Sequence, residues 1–288
     1  MDGHVIAAHG RQYVVELADG SRLSCFPRGK KSEIACGDRV DIQRTSDDQG
    51  VVEAIQPRTS LLYRSNEIRQ KLIAANVDQI LIVVATEPGF SDELVTRALL
   101  AAESEEIEPL IVLNKCDLAD KLPAARQRLA VLAGLGYRVI ELSARDHAED
   151  LRPWLVGKTS VLVGQSGMGK STLVNALIPE AQAATREISQ ALDSGKHTTT
   201  HATLYHLDTT SDLIDSPGLQ EFGLGHLDRQ EIELAFREFR PYLGQCRFRD
   251  CRHHREPGCA LTAALAEGRI DAGRFAIYQR IVGLHNGS

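Results

Sequence analysis

The segment Gly164-Gln165-Ser166-Gly167-Met168-Gly169-Lys170-Ser171 constrains this chain more than any other. It follows the apolar run Ser160–Val163. It precedes Ser171-Thr172-Leu173-Val174-Asn175-Ala176-Leu177, which reads as a helix. Strand, glycine-rich turn and helix in that order form a phosphate loop, and the G-x-x-x-x-G-K-S pattern is met without a mismatch. Glycine lets the backbone wrap closely around phosphates, and the free N–H groups of the helix start favour an anion there. Lys170 is suited to reach the β- and γ-phosphates, and the Ser171 hydroxyl to bind Mg²⁺. Residues Gly164 to Ser171, with Thr172 next in the helix, are the candidate nucleotide contacts.

The phosphate loop does not choose a base. Asn114-Lys115-Cys116-Asp117 does, after the buried-type run Leu110–Leu113. The Asp117 carboxylate can accept from both the N1–H and the 2-amino group of guanine. Adenine would leave that charge unpaired. Lys115 can lay its stem along the ring, and Asn114 can brace neighbouring loops. Ser143-Ala144 resembles the short motif whose amide touches guanine O6, with Arg145 where a lysine is usual. Downstream, Asp215-Ser216-Pro217-Gly218 fits D-x-x-G. Asp215 would hold Mg²⁺ through water, and the Gly218 amide would sense the γ-phosphate. Gly195–Thr200 is the candidate metal-sensing switch, with Thr199 closing on Mg²⁺.

In an ordinary GTPase the base-reading motifs come last, whereas here they precede the phosphate loop. The same sheet forms if the chain is cut elsewhere and the old ends are joined, which nearby termini permit. The apolar runs Ile80–Ala85, Pro109–Leu113, Tyr137–Leu142, Ser160–Val163 and Asp212–Ile214 alternate with helix-like stretches such as Glu93–Glu105 and Ala124–Leu135. That alternation predicts a parallel sheet. One consequence is that the D-x-x-G switch leads directly into the C-terminal segment.

Residues 1–57 read differently. About five short strand-like runs, separated by Asp/Gly turns, predict a small barrel, either an OB-fold or an SH3-like barrel. From about residue 226 the pattern is helical, over Arg229–Phe239, Ala260–Glu267 and Ala272–Leu284. The division expected is therefore 1–57, a small β-barrel; 58–225, a permuted nucleotide-binding domain; and 226–288, a helical metal-binding domain.

Net charge is −6, which argues against indiscriminate binding of polyanions. Only the segment 226–288 is basic, with 10 Lys+Arg against 8 Asp+Glu and four histidines. No apolar run has membrane-spanning length, and the first residues lack the basic flank and apolar stretch of a secretory signal. A cytoplasmic monomer is expected. Cys246, Cys251, His253 and Cys259 supply three thiolates and an imidazole, a full tetrahedral zinc set of the structural kind. His254 is the alternative imidazole. Arg237, Arg240, Arg247, Arg249, Arg252 and Arg255 surround the cluster, as either a solvated face or an RNA-phosphate surface.

Together, the N-terminal barrel, the permuted motif order and the C-x₄-C-x-H-x₅-C spacing resemble the ribosome small subunit-dependent GTPase family, RsgA or YjeQ. The resemblance covers essentially the entire chain. It implies an OB-fold, a circularly permuted P-loop GTPase domain and a helical zinc domain. It also implies a late assembly factor of the 30S subunit that contacts 16S rRNA, with GTP hydrolysis stimulated by that subunit. The family's N-terminal arm is nearly absent here, so no contact by such an arm is expected.

Common GTPases place a glutamine directly after D-x-x-G to orient the attacking water. Here that residue is Leu219, and a hydrocarbon cannot polarise water; Gln220 falls one position late. Slow intrinsic hydrolysis is expected, with His197 in the switch as the candidate water-positioning group. The competing readings are a permuted GTPase of the large subunit, a scaffold that keeps GTP as a structural ligand, and an ATP-dependent enzyme.

Overall fold

Strands β1 (Asp2–His9), β2 (Gln12–Leu17), β3 (Arg22–Pro27), β4 (Arg39–Arg44) and β5 (Gln49–Ile55) close into a barrel in a computed structural model of the chain. The structure describes residues 1–29, 33–66, 69–179, 181, 202–216, 222–254 and 256–285. The strand order is β1-β2-β3-β5-β4, and β4 returns to pair with β1 through Asp2↔Asp41 to His4↔Arg39. The β3–β5 pair is parallel and the others antiparallel. This is the OB arrangement rather than the SH3-like one. Alternate residues point inward, so Val5, Tyr13, Val15, Leu23, Cys25, Val40, Ile42 and Val52 form a core of their own.

A hairpin that the sequence pattern did not announce follows, β6 (Leu61–Asn66) with β7 (Arg69–Ala75). It is tied to the barrel where Ala75 N donates to Cys36 O at 2.8 Å and Asn76 Nδ2 donates to Gly37 O at 2.9 Å. Beside that seam the fully buried Asp38 receives Arg58 at 2.7 Å on each carboxylate oxygen.

Beyond the hairpin, β8 (Gln79–Ala85), β9 (Glu108–Asn114), β10 (Arg138–Glu141), β11 (Thr159–Val163) and β13 (Asp212–Asp215) form a parallel sheet in the order β10-β9-β8-β11-β13. Every residue of β8 is buried, as a parallel strand covered on both faces requires. The short β12 (Thr203–His206) runs antiparallel to β13 and meets β1 at Ala7↔Thr203, so barrel and parallel sheet are continuous. Helix α1 (Asp92–Ser104) is capped by Ser91, whose Oγ accepts from Leu94 N, and has Asp92 and Glu93 in its first turn. Helices α2 (Leu122–Gly134), α3 (Arg152–Leu155) and α4 (Lys170–Leu177) complete this part of the fold among the described residues.

The C-terminal segment contributes α5 (Arg229–Ala235), α6 (Ala260–Ala266) and α7 (Ala272–His285). Asp228 and Glu231 form a reciprocal capping box at the start of α5. The helix expected over Arg229–Phe239 ends at Ala235. Phe236 turns to an extended conformation, and the chain resumes only as a short 3₁₀ turn over Arg240–Tyr242, with Pro241 in its first turn. The break lets Phe236 stack on Phe239 at 4.7 Å between ring centroids, with Tyr278 edge-on to both. Ion pairs carry this module onto α1: Arg237 and Arg240 both reach Glu103, and Arg280 reaches Glu93. No helix among the described residues is long and apolar enough to cross a membrane.

Candidate functional site

Parallel strands deliver their carboxyl ends to one edge of a sheet, where open α/β folds bind ligands. Here β8, β9, β10, β11 and β13 bring Glu87 and Pro88, Asn114 to Asp117, Ser143 to Arg145, the glycine loop and Asp215 to the same edge. They surround a cleft of about 830 Å³. Spatial order is set by the sheet, so the inverted order of the motifs along the chain leaves the cleft intact.

The loop conformation depends on glycine at two positions. Gly164 has φ +149° and a Cβ there would overlap Val83 O. Gly169 has φ +92° and a Cβ there would overlap Asn114 Nδ2. Gly169 is also the N-cap of α4 and offers no side chain, so the first amides of that helix have no side-chain cap. Lys170 Nζ donates to Gly164 O at 2.5 Å and to Gln165 O at 2.8 Å. Burial pulls the Lys170 ammonium below the ordinary lysine range, with Asp215 opposing the shift. Burial also pushes the Asp215 carboxyl up, and Lys170 pulls it back. Both charged groups have thus lost hydration that a phosphate and a divalent cation are suited to replace. Ser171 and Asp215 line the cleft together, as a Mg²⁺ site in the nucleotide's shadow requires.

At the other end Asn114, 2% exposed, joins three motifs. Its Nδ2 donates to Met168 O at 2.8 Å, and its Oδ1 accepts from Ala144 N at 2.8 Å. Lys115 adopts φ +63°, donates from Nζ to Glu87 O at 2.7 Å, and accepts the Thr86 hydroxyl on its carbonyl at 3.0 Å. Ser143 Oγ donates to Asp146 at 3.1 Å, holding the turn after β10. Asp117, Ser166, Gly167 and Thr172 also line the cleft.

Three candidates turn their side chains elsewhere. Met168 is buried, Cys116 donates its thiol to Leu113 O, and Gln165 Oε1 accepts Ser91 N at 2.6 Å. The Ala144 amide, expected at the base O6, is the one bonded to Asn114. His197, Thr199, Gly218, Leu219 and Gln220 lie outside the described residues. Thr86, Glu87 and Pro88 were missed by motif reading. Their signal was their place directly after the fully apolar run of β8.

The cysteine cluster is assembled in space as well as in sequence. The donor atoms of Cys246, Cys251, His253 and Cys259 lie within 4.8 Å of one another. His253 is 6% exposed and points Nδ1 at the sulfurs of Cys259 (3.3 Å) and Cys246 (3.5 Å), whereas His254 is exposed. The Ala260 and Thr262 amides point at the Cys246 and Cys259 sulfurs, a polarity that suits thiolates. Three thiolates and one imidazole around one point fit a closed structural Zn²⁺ site.

The arginine cluster divides. Arg237 and Arg240 each sit 2.6 Å from Glu103, and Arg237 also covers the Tyr137 ring. Both pair with α1 through Glu103. Arg249 and Arg252 instead line a second cleft of about 700 Å³ with the half-exposed Phe248, and Arg247 lies over that ring. Among the described residues these three form no ion pair, and Arg255 lies outside them.

The model of the RsgA GTPase family matches residues 55–225. The small ribosomal subunit biogenesis GTPase RsgA of Bordetella pertussis is 60% identical over 285 residues, covering 98% of this chain and 95% of that protein. The protein of the same name from Burkholderia pseudomallei strain K96243 is 59% identical over 285 residues, with 97% and 91% covered. Among solved structures, YjeQ from Thermotoga maritima matches with a TM-score of 0.74 at 31% identity, over 100% of this chain and 99% of that one. YloQ, described as a circularly permuted GTPase, matches with a TM-score of 0.71 at 28% identity, with 100% and 96% covered.

Proposed function

This chain belongs to the RsgA GTPase family, and on that premise we propose that it hydrolyses GTP as a late assembly factor of the 30S ribosomal subunit. The observation that supports the guanine reading is the pair of hydrogen bonds by which Asn114 Nδ2 donates to Met168 O and its Oδ1 accepts from Ala144 N. It locks the phosphate loop, the base-reading turn and the Ser143-Ala144 turn into one site. Asp117 accepts from the base N1–H and 2-amino group, Lys115 covers the ring, and the Ser143-Ala144 turn closes its edge. Residues Gly164 to Thr172 hold the phosphates. Ser171, with Asp215 through water and Thr199 from the switch, holds Mg²⁺, which offsets phosphate charge when bound. Gly218 senses the γ-phosphate, and Cys116 spaces the base motif without facing the base.

Leu219 cannot orient water, so hydrolysis waits for another group. We assign that role to His197, brought over the γ-phosphate when a partner engages the switch. The partner is the small subunit, contacted through 16S rRNA by the barrel and by the Arg247–Arg249–Arg252 face. Hydrolysis then couples to release. The division of labour follows the boundaries 1–57, 58–225 and 226–288, in a cytoplasmic monomer.

The test is GTP and ATP turnover with and without purified 30S and 50S subunits. Stimulation by 30S alone, lost in His197→Ala while GTP still binds, is the expected result. Tight GTP binding with no stimulation by either subunit would overturn the reading in favour of a scaffold that keeps GTP as a structural ligand.

A further inference from the structure

Glu233, on α5, is 7% exposed, and its two carboxylate oxygens face different neighbours. Oε2 stands 3.5 Å from His253 Nε2. Oε1 accepts the Tyr278 hydroxyl at 2.5 Å and Arg229 Nε at 2.8 Å, and Arg229 also donates to Tyr278 Oη at 3.0 Å. Tyr278 is fully buried in the aromatic core formed by Phe236, Phe239 and Phe275. The His253 ring is therefore held between a sulfur face at Nδ1 and a buried carboxylate behind Nε2.

A metal-ligating imidazole is oriented by what its other nitrogen meets. A carboxylate there keeps the proton on that nitrogen, leaves the lone pair on the metal side and raises its basicity. Burying a carboxylate is costly unless its oxygens are bonded. Tyr278 and Arg229 supply those bonds on one oxygen, and His253 faces the other.

We propose that Glu233 is the positioning residue of the metal site. It aims His253 at the metal and, through Tyr278 and Arg229, anchors the metal loop to the helical core that rests on α1. This inference rests on the reading of the Cys₃His cluster as a zinc site. It adds a residue that the cysteine–histidine spacing does not contain. Metal affinity and the packing of α7 on α5 then depend on one side chain, while the nucleotide cleft does not.

The experiment uses the full-length protein. Zinc affinity is measured by competition with a chromophoric chelator, and the ligand-field bands of the Co²⁺-substituted site are recorded. Glu233→Gln is expected to weaken zinc by about 10- to 100-fold and to shift the cobalt bands, with GTP binding unchanged. Tyr278→Phe, which keeps the carboxylate beside His253, should lose less. In a His253→Cys background, where no imidazole needs aiming, Glu233→Gln should cost nothing further. Wild-type affinity and bands in Glu233→Gln would overturn the proposal. So would an equal loss in the His253→Cys background, or failure of Glu233→Gln to fold in excess zinc. A wild-type protein that holds no zinc would instead sink the metal reading itself.

Discussion

A side chain on Gly169 would occupy the place of the Asn114 amide: a Cβ there would lie 2.2 Å from Asn114 Nδ2, the atom that donates to Met168 O 54 positions further along the chain. Gly169→Ala must displace Asn114 and also hold alanine at φ +92°. GTP affinity should fall by roughly 100-fold, read with a fluorescent guanine nucleotide. Asn114→Ala removes two hydrogen bonds of about 1 kcal/mol each. The double variant should bind no more weakly than Gly169→Ala, because both changes break the same contact.

Asp117→Asn tests the base. An amide keeps one acceptor but turns a donor toward the guanine 2-amino group, whereas xanthine presents a carbonyl there. GTP affinity should fall by roughly 100-fold or more and XTP affinity should rise. Competition of the two nucleotides against a fluorescent analogue is the measurement. Unchanged preference for GTP would remove Asp117 from the base site.

Arg274 and Glu238 form a buried pair at 2.6 Å, with side chains 5% and 3% exposed, and Arg274 also donates to Thr96 on α1 at 3.0 Å. Arg274→Ala leaves the Glu238 carboxylate buried without its partner. The cost should be about 3–5 kcal/mol in urea unfolding. Arg274→Met combined with Glu238→Leu should recover most of it, since no buried charge remains.

His206, at the end of β12, bridges Asp212 at 2.6 Å and Glu16 of the barrel at 2.8 Å. The Asp212 bond, with Glu16 adding to it against the cost of burial, raises its pKa to about 9. A raised folded-state pKa gives stability that is full below the unfolded value of about 6.5 and is lost as pH rises to about 9. The difference in urea midpoint between wild type and His206→Gln should therefore shrink across that window. His4 and Arg39 face the same region and would move the window if altered. A constant difference would mean that the bridge is not ionic.

Much of this molecule is readable from contiguous residues. The strand–loop–helix of the phosphate site lies within one residue of its expected bounds at α4, since one local motif specifies it. Strands β3, β4 and β5 alternate buried and more exposed residues, whereas β1 and β2 are buried over consecutive residues because Ile6, Ala7 and Val14 join the main core. The hairpin β6–β7 was not readable, because Leu62, Ile73 and Ala74 gain their burial from the main core rather than from each other's pattern. β12 has only four residues, too few to show a period. In the site, Glu87 and Pro88 carry no motif, and only the end of β8 brings them to the cleft.

The arginines make the division clearest. Six of them near a cysteine cluster look alike along the chain, yet Glu103 claims Arg237 from 134 positions away and Arg240 from 137. The same holds for Glu16 and His206, 190 positions apart. Local sterics and side-chain chemistry act over a few residues, so the amino-acid order alone marked out the candidate phosphate loop, the candidate base-reading tetrapeptide and three clustered cysteines with two neighbouring histidines. Charge pairing acts through space at a few ångströms, so only the packed structure decided which arginines are spent, which histidine faces the sulfurs, and which carboxylate stands behind it.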